Sequence, residues 1–75
     1  MTEVTIRPGP ITLLQVLKLA GIATHGADAQ NFVTEGFVKV NGEPESRKRR
    51  QLVAGDRIAI KAPGLKVELK LVEAS

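Results

Sequence analysis

The chain reads as an α+β fold, with two short helices packed on a small, mostly antiparallel sheet. Three observations predict it. Apolar residues recur at helical spacing as far as Glu35 and with a period of two from Phe37 onward. Each helical stretch stops at a glycine followed by an apolar residue, and Asn41-Gly42 marks a hairpin just after the period changes.

Val4 and Ile6 alternate with polar neighbours and fit a short first strand. Thr12 and Gln15 then have the spacing of a capping box, in which each side chain satisfies a backbone donor at a helix start. Leu13, Val16, Leu17 and Ala20 follow at i, i+3, i+4 and i+7, leaving Gln15 and Lys18 in water. Gly21 ends this helix by supplying a left-handed residue, with Ile22 folding back on Leu17. A second helix is expected from about Gly26 to Glu35. Asp28 lies in its first turn, where it complements the dipole, and Ala29, Phe32 and Val33 form its buried face. Gly36 and Phe37 repeat the stop, with Phe37 within reach of Phe32.

Val38 and Val40 point one way and Lys39 the other, as in a strand. Asn41-Gly42 tolerates the positive φ that a two-residue hairpin demands. Pro44 lacks a ladder donor, so the returning arm is expected to begin as an edge or a loop and to regain pairing only near Leu52. Ala54-Gly55-Asp56 is a turn into a strand carrying Ile58 and Ile60. Pro63-Gly64 fits a type II turn, and Leu65, Val67, Leu69 and Leu71 alternate with Lys66, Glu68 and Lys70 in a last half-buried strand.

Composition limits the function classes. Seventy-five residues accommodate one domain, 1–75, burying only ~60 to 65% of the unfolded surface. There is no Cys and one His, His25, so neither a disulfide framework nor a structural zinc site is available, and no cofactor is expected. His25 itself reads as a loop residue. The opening MTEVTIRPGP lacks the apolar run of a signal peptide, and no later stretch has the length and apolarity of a membrane span, so a soluble, cytoplasmic protein is expected.

Charge is concentrated. Between Lys39 and Arg57 there are six basic residues against three acidic ones, which accounts for the whole net charge of +3; elsewhere the signs cancel. The concentration peaks at Arg47-Lys48-Arg49-Arg50, whose mutual repulsion gains an isolated surface nothing, whereas guanidinium groups fork onto phosphate oxygens. If the segment is extended and Leu52 points inward, Arg47 and Arg49 share the outer face and are the principal phosphate contacts. Lys48 and Arg50 then serve at its edge. Only two aromatics are present, Phe32 and Phe37, and the helix stop absorbs both; gripping of unstructured strands by base stacking is therefore not expected, and the shape and backbone of folded RNA are. Gln30 and Asn31 are neutral amides on the second helix that can donate to phosphate or ribose.

Catalysis finds no support. Ser46 and Ser75 have no obvious His partner, no GxxxxGK[ST] loop occurs, and Glu43 and Glu45 lie beside arginines that hold them ionised.

Taken in order, LLQVLKLAGIA, ADAQNFVTEG, GFVKVNG, the basic run and LVAGDRIAI resemble the ribosomal protein S-four-like RNA-binding domain, the αL RNA-binding motif, over residues 11 to 61. The chain looks like a small stand-alone bacterial member with an added C-terminal strand and no room for the catalytic domain of a synthetase or pseudouridine synthase. The resemblance implies a non-enzymatic binder of structured RNA, ribosomal or transfer, in translation or ribosome assembly, with no membrane partner and acting as a monomer. It also implies a binding side formed by the second helix and the hairpin, which carries Gln30, Lys39 and Asn41 over to the candidate site beside Arg47, Lys48, Arg49 and Arg50. Where the family often has a basic residue near the start of the second helix, this chain has His25-Gly26 and Asp28, which shifts the expected contact toward the arm. A ubiquitin-like sulfur carrier shares the VNGE and AGD features. It requires a C-terminal Gly-Gly, whereas the sequence ends Glu73-Ala74-Ser75.

Overall fold

The computed structural model describes residues 2–23 and 25–74; Ser75 lies outside them. The elements are β1 (Thr2–Ile6), β2 (Ile11–Thr12), α1 (Leu13–Leu19), α2 (Gly26–Thr34), β3 (Val38–Val40), β4 (Glu43–Pro44), β5 (Gln51–Leu52), β6 (Arg57–Ala62) and β7 (Leu65–Glu73). Five strands form one sheet in the order β1-β7-β6-β3-β4, in which only the β1–β7 pair is parallel; β2 and β5 make a separate two-stranded ladder. The α+β architecture read from the sequence is present.

Local rules account for the helix ends. Thr12 caps α1 with its hydroxyl accepting from the Gln15 N–H, while the Gln15 side chain accepts from the Thr12 N–H. Gly21 has φ 75°, and the Ile22 N–H returns to the Leu17 carbonyl at 3.0 Å. Gly36 has φ 78°, and the Phe37 N–H returns to the Phe32 carbonyl, also at 3.0 Å. Both helices thus close with the same 6→1 bond. The two Phe rings lie 6.5 Å apart and tilted, which matches their expected role at the stop.

One face of the main sheet is covered. Val4, Ile6, Val38, Val40, Ile58, Ile60, Leu69 and Leu71 point from it into a core completed by Leu13, Val16, Leu17, Ala29, Val33 and Leu52. The outward residues, among them Glu3, Lys39, Arg57 and Lys61, face solvent. The helices therefore lie on one side of the sheet and leave the other open.

The hairpin at Asn41-Gly42 closes with both residues at positive φ, 52° and 85°. Beyond it the structure differs from the expected return arm. Pairing resumes at Gln51–Leu52 as anticipated, but with Ile11–Thr12 and not with the hairpin. Pro44 offers no N–H, the Glu45 N–H makes the last bond to β3 at the Val38 carbonyl, and the chain then leaves the sheet edge toward α1.

Candidate nucleic-acid interface

The basic run is built on a buried carboxylate. Glu45 follows Pro44 on the side of the sheet edge that faces the helices and is 6% exposed, the one buried charged residue among those described. Its Oε2 accepts from the Arg47 N–H at 3.0 Å and Nε at 3.2 Å, and its Oε1 accepts from Arg47 Nη2 at 3.2 Å and Arg50 Nη1 at 2.7 Å. The two Arg47 side-chain bonds, then that of Arg50, then the Arg47 backbone N–H hold the Glu45 carboxyl down at about 2. The same contact raises Arg47 above its ordinary value.

With both ends held, the four basic residues form a turn. The Arg50 N–H donates to the Arg47 carbonyl at 3.1 Å, which puts Lys48 and Arg49 at the two central positions. Its backbone is spliced onto α1: the Leu13 N–H donates to the Arg50 carbonyl at 2.9 Å and the Leu14 N–H to the Lys48 carbonyl at 3.3 Å. These are first-turn donors that have no partner inside the helix, so the arm and the helix start satisfy one another. Leu52, fully buried, anchors the turn from the C-terminal side.

This geometry contradicts the extended arm on which Arg47 and Arg49 share one outer face. Alternation of faces applies to a strand, and residues 47 to 50 are a turn. Arg47 and Arg50 are both tied to Glu45, although the Arg47 side chain remains 73% exposed and that of Arg50 33%. Lys48 and Arg49 are exposed and, among the described residues, form no ion pair. The prediction that arginines hold neighbouring carboxylates ionised applies to Glu45. Glu43 is exposed and forms no ion pair among the described residues.

The remaining candidates do not all join the arm. Gln30 is exposed on α2 with Asn31 beside it. Lys39 pairs with Pro44 and Ala59 and so projects from the open face of the sheet, away from the helices. Asn41 sits at the hairpin tip with its amide already engaged: Nδ2 donates to Asp56 Oδ1 at 3.1 Å and Oδ1 accepts from the Arg57 N–H at 2.9 Å. The role of Glu45 as organiser of the turn escaped the sequence reading. Its signal is the spacing of one carboxylate two residues before one Arg and five before another, but spacing alone does not show which carboxylate is buried.

Among the described residues no cluster of metal-ligating side chains occurs, and no helix is long and apolar enough to cross a membrane.

Comparison with known proteins adds a family to this geometry. Residues 4–68 match the family model described as S4 domain, a wider span than the 11 to 61 inferred from motifs. A Bacillus subtilis (strain 168) relative, "Probable ribosome maturation protein RlbA", is 44% identical over 54 residues, which is 72% of this chain and 76% of the relative. The tyrosine–tRNA ligase of Bordetella pertussis (strain Tohama I) is 42% identical over 55 residues, 73% of this chain but only 13% of the ligase. The solution structure of YbcJ from E. coli, described as revealing an αL motif involved in RNA-binding, superposes with a TM-score of 0.64 at 35% identity, covering 93% of this chain and 87% of YbcJ.

Proposed function

The chain belongs to the S4 domain family, and on that premise we propose that it is a non-catalytic binder of structured RNA whose principal contact is the turn from Arg47 to Arg50. One observation carries this reading: Glu45 clamps Arg47 and Arg50 and thereby presents Lys48 and Arg49 together at the turn's centre, unpaired by any described carboxylate. A clamped turn loses little conformational freedom on meeting phosphate, so its cations are pre-organised. The exposed amides of Gln30 and Asn31 on α2 supply neutral donors to ribose or phosphate. Both Phe side chains are half-buried, Phe32 against the core and Phe37 beside Phe32, which favours recognition of folded RNA through shape and backbone over stacking on splayed bases.

The relatives support a setting in translation. RlbA is named for ribosome maturation and the ligase for its tRNA, so ribosomal or transfer RNA is the proposed target, with ribosome assembly the proposed process. The protein acts in the cytoplasm as a monomer in this reading.

Titration of a fluorescein-labelled fragment of 16S ribosomal RNA at several salt concentrations tests it. Neutralising two phosphates fewer flattens the slope of log affinity against log salt by about 2, the expected result for Lys48→Ala with Arg49→Ala. An unchanged slope in this double variant rejects the turn as the contact, and failure of the unaltered protein to bind rejects RNA binding itself.

A further inference from the structure

The face of the sheet turned away from the helices carries its own cationic surface, invisible in the linear charge count. Lys39, Arg57, Lys61, Lys66 and Lys70 all project from it, against two carboxylates, Glu3 and Glu68. The register is the telling feature. Arg57 stands directly opposite Lys70 and Lys61 directly opposite Lys66, while Glu68, the one acidic residue of that strand pair on this face, is opposite Ala59. Like charges opposite one another weaken a sheet, and the opposed lysine–glutamate pair on this face, Glu3 with Lys70 across β1 and β7, offsets just one of the five cations. None of these five cations forms an ion pair among the described residues. The two like-charged pairs are about 13 Å apart along the strands, and a depression of about 400 Å³ lies between Arg57, Ala59 and Glu68 beside the hairpin tip.

We infer that this open face is a second RNA-backbone contact, so that one molecule holds two RNA segments, one at the turn of Arg47–Arg50 and the other across the sheet. The inference rests on the RNA-binding reading above and adds a second surface to it. The two surfaces lie on opposite sides of the sheet: the turn is bonded to the start of α1, which packs on the covered face, whereas the five cations leave the uncovered one. Polyanionic backbone is the occupant that charge complementarity selects. A protein partner of ordinary kind needs apolar anchors, and among the described residues the exposed large hydrophobic ones, Leu19 and Val53, belong to α1 and to the loop after β5, not to this face.

A two-colour experiment tests it. RNA hairpins labelled with donor and with acceptor are mixed with the full chain, and energy transfer between hairpins is read alongside the affinity for a single hairpin. The unaltered protein is expected to bring donor and acceptor together. Lys61→Gln with Lys66→Gln, which keeps both side chains polar and removes two charges, should abolish the transfer while single-hairpin affinity falls less than threefold; Lys18→Gln, a charge removed from α1 on the covered side, should preserve it. Transfer that persists in the sheet variant, or falls equally in the control variant, overturns the inference. So does single-hairpin binding without transfer in the unaltered protein, a result that leaves the RNA-binding reading standing. Absence of any hairpin binding overturns both. Displacement of RNA from this face by poly-glutamate at equal charge concentration would mark it as a surface for acidic protein and also overturn the inference.

Discussion

Arg50 Nη1 lies 2.7 Å from Oε1 of Glu45, and the opposite oxygen of the same buried carboxylate holds the backbone and side chain of Arg47. The turn's shape therefore depends on the charge of a single acid. Burial alone would raise its pKa, and the charge-assisted bonds more than offset that.

Glu45 has its carboxyl lowered from 4.5 to about 2, so its contribution to stability is complete above about pH 4.5 and disappears as the pH falls toward 2. Screening at the exposed Arg47 limits that contribution to about 1 to 2 kcal/mol. Glu45→Gln should lose about this much at pH 7 and show a flatter decline between pH 4.5 and 2 than the unaltered protein, by urea unfolding at each pH. Parallel curves for the two proteins in that window would contradict the clamp.

Asn41 is expected to act on the fold before it acts on any ligand. Asn41→Gly keeps the left-handed turn and removes the two bonds to Asp56 and the Arg57 N–H, at a cost of about 1 to 2 kcal/mol in unfolding free energy. RNA affinity measured on the folded protein should be unchanged. A drop of tenfold or more at equal native fraction would instead put the amide in contact with RNA.

Leu52 fixes the C-terminal end of the turn to the core. Leu52→Ala should cost about 3 to 5 kcal/mol, a large part of the ~4 to 11 kcal/mol expected for a chain of 75 residues. The Leu13 and Leu14 amides, which donate to Arg50 and Lys48, should exchange hydrogen faster relative to the Ile60 amide than they do in the unaltered protein. Equal acceleration at all three would show that the turn has no independent dependence on this anchor.

Much of the fold was legible because short-range rules govern it. The Thr12–Gln15 box, the glycine stops at Gly21 and Gly36, the Asn41-Gly42 hairpin and the Pro63-Gly64 turn each depend on backbone preferences acting over a few residues. The candidate site was less legible. The sequence located the cations at Arg47 to Arg50 but not the turn they form, since the partner that bends them is a carboxylate whose burial depends on β4, β3 and α1 meeting.

From the order of residues alone come the two helices, the strands of the sheet, the amphipathic faces and the place along the chain where positive charge gathers. Tertiary packing decided three things: β5 joins β2 instead of the hairpin, Glu45 takes two of the four basic partners, and Lys39 falls in with Arg57, Lys61, Lys66 and Lys70 on the open side of the sheet. The reason is physical. Helix stops and tight turns are set by torsional energies that neighbouring residues determine, whereas the field at a surface sums over charges brought together from strands far apart in the chain, and those distances exist only once the sheet has formed.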